Sequence, residues 1–113
     1  MDDLQEWLFS LVDSGKLVIV EGKRDVAALH DVGVCNILAL NTEPVFSFVE
    51  KLTVKDVVIL TDVDPAGKKL YAALKKACVH NGIKVDNIFR EFLLRETTLV
   101  HIEGLATYFR KRL

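Results

Sequence analysis

Val57-Val58-Ile59-Leu60-Thr61-Asp62-Val63-Asp64-Pro65-Ala66-Gly67 is the stretch whose pattern decides the architecture. Its aliphatic, β-branched opening is that of a strand buried on both faces, the kind found in parallel sheets. Asp64 followed by Pro65 is a helix start, with a capping carboxylate and then a proline whose missing N–H is not needed in the first turn. A strand running straight into a helix is the first half of a β-α unit. Leu70, Leu74, Ala77 and Cys78 extend that helix from Ala66 on one face, Gly82 stops it, and a strand is expected near Lys84 to Phe89.

Working outward, the same alternation recurs upstream. Leu17 to Val20 and Asn36 to Leu40 read as buried strands, and Arg24 to Val32 reads as the helix between them. Val45, Phe46, Phe48, Val49 and Leu52 share a helical face behind Pro44. Leu4, Trp7, Leu8, Leu11 and Val12 form an additional amphipathic helix over residues 1–15, with Gly15 as its stop. Thr97 to Ile102 reads as a short strand or an extended segment, and Gly104 to Arg112 as a closing helix with Leu105 and Phe109 inward. Strands alternating with helices imply an α/β fold of about four parallel strands with flanking helices.

The chain has 113 residues, 50% hydrophobic and 27% charged, the balance of a single soluble domain spanning 1–113 with no room for a second core. No apolar run approaches the ~20 residues of a membrane span, and the acidic start does not resemble a secretory or transit signal, so the cytoplasm is the expected compartment. Cys35 and Cys78 lie far apart in apolar stretches and are expected to be buried small hydrophobes rather than a disulfide or zinc pair. The net charge of −1 conceals an asymmetry: residues 1–64 carry 5 basic and 12 acidic side chains, and residues 65–113 carry 10 and 4. An acidic region beside a basic flank suits a polyanion held through metal, although solvated helix faces produce the same count.

In an open parallel sheet, ligands collect beyond the carboxyl ends of the strands. The first strand runs into Glu21-Gly22-Lys23-Arg24-Asp25, the second into Asn41-Thr42-Glu43 and the third into Asp62-Val63-Asp64, so Glu21, Asp62 and Asp64 fall on one rim. Carboxylates brought together repel unless a proton or cation neutralises them. Mg²⁺ (or Mn²⁺) is the expected occupant, a hard ion that takes carboxylate, water and phosphate oxygens. Each residue taken alone has a structural explanation: Asp64 and Asp25 as caps, Gly22 and Gly67 as turn or close-packing residues, Glu21 as a surface partner of Lys23. Independent explanations do not account for acids gathered on strand ends.

His30 is expected to pack beside Val26 and Leu29, and His80 to sit at a helix end. His101, two residues before Glu103, is a further candidate. Tyr71 and Tyr108 lie in helical patterns beside apolar neighbours and are expected to be buried rather than nucleophilic. Lys68, Lys69, Lys75 and Lys76 line the polar side of the helix behind the acidic loop, where they serve either as phosphate contacts or as a wet face.

Val18-Ile19-Val20-Glu21-Gly22-Lys23-Arg24-Asp25-Val26 resembles the first motif of the Toprim family, the metal-dependent module of topoisomerases, bacterial-type primases and several nucleases. Ile59-Leu60-Thr61-Asp62-Val63-Asp64-Pro65-Ala66-Gly67 resembles its second, Asp-x-Asp, motif. Within the family the chain looks most like small stand-alone members and the ribonuclease that matures 5S ribosomal RNA, with His101-Ile102-Glu103-Gly104 similar to their closing segment. The resemblance implies a three-layer Toprim domain, Mg²⁺ held by Asp62 and Asp64 with Glu21, Glu21 as general acid or base, and Lys23 near phosphate; Lys68 and Lys69, on the helix face beside the acidic loop, are further candidate phosphate contacts, and Asp25, Gly67, His101 and Glu103 are additional site candidates. It implies phosphodiester hydrolysis of RNA or DNA. Alternatives are a metal-dependent nucleic-acid-binding module that does not cleave, and a primase-like or topoisomerase-like subunit that needs a protein partner.

Overall fold

The structure, a computed structural model, describes residues 3–112. Four strands, β1 (Leu17–Val20), β2 (Ile37–Ala39), β3 (Asp56–Ile59) and β4 (Lys84–Asp86), form an all-parallel sheet in the order β2-β1-β3-β4. Six α-helices accompany it among the described residues: α1 (Asp3–Ser14), α2 (Lys23–Asp31), α3 (Val45–Glu50), α4 (Pro65–His80), α5 (Ile88–Glu96) and α6 (Leu105–Arg112). A single 3-10 turn, Ile102–Gly104, precedes α6. This is the expected α/β architecture.

The central strands show why three layers form. Successive strand residues point to opposite faces, so a strand apolar at every position must be covered on both. Val18, Val20, Val58 and Leu60 pack with Leu11 of α1, Leu29 of α2, Leu93 of α5 and Phe109 of α6. Leu17, Ile19, Val57 and Ile59 pack with Phe48 and Val49 of α3 and Leu74, Ala77 and Cys78 of α4. Each of these larger side chains contributes roughly 1.5–3 kcal/mol on burial, which is the main force holding the helices to the sheet.

The additional N-terminal helix is part of the first layer. Trp7 is buried, donates its indole N–H to the Phe89 carbonyl at 2.9 Å, and meets the rings of Phe89 and Phe92. Met1 and Asp2, at the start of the expected helix, lie outside the described residues.

Four expectations need correction. β4 ends at Asp86 rather than Phe89, because the Asp86 carboxylate accepts from the Ile88 N–H at 3.1 Å and turns the chain into α5. That helix is absent from the sequence-based reading, although Phe89, Phe92 and Leu93 have helical spacing. Cys35 is exposed while Cys78 is buried: ahead of the edge strand β2 the chain turns Val34 inward and leaves Cys35 and Asn36 in solvent. His30 is exposed, on the outer side of α2 from Leu29. The residues between α5 and the 3-10 turn are extended but outside the sheet, which leaves the second of the two expected alternatives. Among the described residues no helix is long and apolar enough to cross a membrane.

Candidate metal centre

The strand order reverses direction between β1 and β3: the chain leaves β1 for one neighbour and returns on its other side. That is where an open α/β sheet forms a crevice at its carboxyl edge. Ile19 is in register with Ile59, and the Leu60 N–H donates to the Ile19 carbonyl at 2.8 Å, so the two strands run out side by side. The residues that follow therefore meet. The Asp62 N–H donates to Glu21 Oε2 at 3.0 Å.

From Asp62 the site spreads in two directions. Its Oδ1 accepts from the Ile102 N–H at 2.8 Å, and Oδ2 lies 3.2 Å from His101 Nδ1. The Val63 N–H donates to the Val100 carbonyl at 2.7 Å, so the extended tail is bound along the acidic loop and delivers His101 and Glu103 to the site. Asp64 caps α4, its Oδ1 accepting from the Gly67 N–H at 2.7 Å. One ligand atom each from Asp62, Asp64 and His101 lie within 4.8 Å of one another. Glu21, Asp25, Asp62 and Glu103 share an open hollow of about 500 Å³ with Lys23 and His101.

The electrostatics are those of an acid cluster with too little compensation. Burial holds the Glu21 carboxyl above its ordinary range, partly countered by the Asp62 N–H and reinforced by the carboxylates of Asp62 and Asp25. Burial also raises Asp25, against the hydrogen bond from the Gly22 N–H and with the negative charges of Asp62 and Glu103 adding to it. The hydrogen bond to Asp62 raises the exposed His101 imidazole, favouring its charged form. A bound cation would relieve both raised carboxyls and favour the neutral, ligating form of His101, and the donor set, carboxylate oxygens with one imidazole nitrogen, suits Mg²⁺ or Mn²⁺. The residues present therefore fit such an ion.

The loop that carries Asp62 and Asp64 is tightly held. A β-carbon placed on Gly67 would lie 2.0 Å from the Asp62 carbonyl oxygen, so no other residue fits there without moving backbone. The buried Thr61 hydroxyl donates to the Gly67 carbonyl at 2.8 Å. Arg90 of α5 donates through Nη1 to the Thr61 carbonyl and through Nη2 to that of Asp62 at 3.0 Å. Arg90 is the site residue that sequence reasoning missed. The helical spacing of Phe89, Phe92 and Leu93, which brings its helix against β3, was the signal available.

The structure brings Glu21, Asp62, Asp64, Asp25, His101 and Glu103 together, with Gly67 packed behind them. Lys23 stands exposed on the rim at the start of α2. Lys68 borders a second hollow of about 250 Å³ between α4 and α5, shared with Tyr71, Lys75 and Arg90, whereas the exposed Lys69 borders neither. Tyr71 and Tyr108 are half-buried, and His80 is exposed at the end of α4, edge-on to Phe46.

Fold and site together are those of a Toprim domain, and that family matches residues 15–89. The chain belongs to the Toprim domain family. It is 33% identical to the UPF0292 protein MJ1624 of Methanocaldococcus jannaschii, over 99% of this chain and 97% of that one. A UPF0292 protein of Methanosarcina barkeri is also 33% identical, over 98% of this chain and 81% of its own. A solved structure of a protein from Aquifex aeolicus matches with a TM-score of 0.84 at 28% identity, covering 92% of this chain and 99% of that one. Family membership carries a metal-dependent role in nucleic-acid chemistry.

Proposed function

We propose that this chain is a Mg²⁺- or Mn²⁺-dependent phosphodiesterase that hydrolyses RNA or DNA. The observation that carries the reading is the meeting of Glu21 with Asp62, Asp64 and His101 where β1 and β3 run out together. In this reading Asp62 and Asp64 hold the cation, with Glu21 or His101 completing the set. When bound, the ion supplies Lewis-acid polarisation of a phosphoryl oxygen.

The remaining work falls to the chain's own side chains. Glu21 stands beside Asp62 where the two strands run out, its carboxyl raised by burial so that it holds a proton more readily than a free glutamate, and it moves the proton of the attacking water or the leaving oxygen. Lys23, on the rim, meets a backbone phosphate and sets the strand across the hollow, and Lys68 and Lys69 extend that basic flank. His101 and Glu103 border the hollow from the tail side, and Asp25 holds the Gly22 turn open.

One observation favours a second reading, a metal-dependent module that binds nucleic acid without cleaving it. Glu21, which only the cleaving reading needs as a proton carrier, already accepts from the Asp62 N–H through Oε2. Incubation with labelled single- and double-stranded RNA and DNA, with Mg²⁺, Mn²⁺ or chelator, decides between them. The enzyme reading expects cleavage that chelator abolishes and that Glu21→Gln and Asp62→Asn each reduce by about 10²–10⁴-fold. Binding with no cleavage, or cleavage that survives both substitutions, would sink it.

A further inference from the structure

Arg90 is only 4% exposed, and a guanidinium leaves water only where its donors are met. Its guanidinium carbon lies 4.7 Å from the centre of the Tyr71 ring on α4, which holds it from one side. What it bonds is more informative. The Thr61 carbonyl and the Asp62 N–H belong to one peptide unit, and that unit is planar. Arg90 holds its oxygen edge and Glu21 holds its N–H edge, so the plane is gripped from both sides. The second Arg90 bond, to the Asp62 carbonyl at 3.0 Å, fixes the next peptide as well. Between those two peptides stands the Asp62 α-carbon, whose side chain is aimed by their orientation.

We infer that Arg90 is a positioning residue of the metal centre, clamping the peptides on either side of Asp62 so that its carboxylate meets Asp64 and His101. The inference rests on the metal reading above and adds to it a residue one position past the segment that the family match covers. A lysine does not replace Arg90, because a single ammonium lacks the planar fork that spans two carbonyls.

The sign of one measurement separates positioning from mere charge. Arg90 is a cation near the site, so as a charge alone it repels a bound ion, and its removal tightens metal binding. As a positioning residue its removal loosens metal binding. Titration calorimetry with Mn²⁺ on wild-type protein, Arg90→Met and Arg90→Lys gives the first readout, and amide exchange at Asp62, followed by NMR without metal, gives the second. Both variants are expected to bind Mn²⁺ about tenfold more weakly and to exchange the Asp62 amide about tenfold faster, the scale of one lost hydrogen bond to a charged group.

Arg90→Met that binds Mn²⁺ as tightly as wild type or more tightly, or that keeps wild-type exchange at Asp62, overturns the inference. Should Arg90→Met fail to fold, Arg90→Lys, which keeps charge and stem, is judged by the same two criteria. Wild-type protein that binds no Mn²⁺ sinks the metal reading instead, and the amide readout then decides by itself whether Arg90 holds the loop.

Discussion

The two turns that leave β1 and β3 carry equivalent acids and are built in opposite ways. After β1, Gly22 stands in open space, with nothing within 4 Å of a β-carbon placed on it, and its extended backbone suits any residue. After β3, the Asp62 carbonyl leaves no room beside Gly67, and Thr61 and Arg90 bond the surrounding backbone. In both, a carboxylate three residues away holds the glycine N–H, Asp25 from beyond Gly22 and Asp64 from before Gly67. One turn is roomy and borders the hollow, while the other is jammed and aims two aspartates. Access and precision are thus assigned to different strands, and substitutions at the two glycines should differ most.

Gly67→Ala is the largest expected effect. Its methyl group would lie 2.0 Å from a carbonyl oxygen and 2.5 Å from the carbonyl carbon of Asp62, neither of which belongs to a flexible side chain. Overpacking against backbone costs about 3 kcal/mol, which urea unfolding measures. Because the displaced atoms belong to Asp62, the Mn²⁺-induced rise in Tm should vanish in the same variant. A Gly67→Ala chain within 0.5 kcal/mol of wild type, a threshold set by ordinary surface substitutions, would remove the basis for calling this turn jammed.

How far the site was legible in the sequence follows from the same contrast. Glu21 and Asp62 were readable because each follows an apolar β-branched run, and Asp64 because it stands two residues further on before Pro65; strand ends are where a parallel sheet gathers ligands. The roles of their supports were not. Gly67 looks like any turn glycine until the Asp62 carbonyl is placed beside it. Arg90 is hidden by a competing pattern: Lys84 to Phe89 reads as a continuous strand that masks the helical spacing of Phe89, Phe92 and Leu93, and the break depends on the Asp86 carboxylate bonding back to the Ile88 N–H. His101 and Glu103 were named as candidates, but their reach to Asp62 depends on the Val63 to Val100 backbone bond, a non-local pairing that no local pattern encodes.

A smaller effect is expected from pH, and it tests whether the acids around the roomy turn lack a compensating positive charge. Glu21 and Asp25 sit above their ordinary values of 4.5 and 3.8 in the folded chain, chiefly through burial. Between the ordinary and the raised values the folded state holds more protons than the unfolded one, so stability falls as pH rises through that window. His101 acts in the same direction: the stability from its bond to Asp62 is full below its ordinary 6.5 and is lost as pH rises through its raised value. Without metal, Tm should therefore decline from mildly acid to mildly alkaline pH. Glu21→Gln should flatten the acid part of that decline. Metal binding needs the deprotonated ligands, so Mg²⁺ should raise Tm increasingly with pH. A metal-free Tm that climbs through the carboxylate window would show that the acids are compensated within the chain.

Gly22→Ala should do least to the fold, and its small effect is what makes the contrast informative. The φ of −152° and ψ of −174° are open to alanine, and no atom lies where the methyl group would go. Alanine is a poorer N-cap than glycine, but it also restricts the unfolded chain, and the two effects are of similar size and opposite sign. The net change in unfolding free energy should stay within about 0.5 kcal/mol by urea titration. The methyl group would project beside the hollow that Glu21 and Asp25 border, so nucleic-acid binding is the measurement on which it should register. A loss of stability comparable to that of Gly67→Ala would mean that the first turn is as tightly built as the second. The division between an open, ligand-facing turn and a rigid, aspartate-aiming one would then fail.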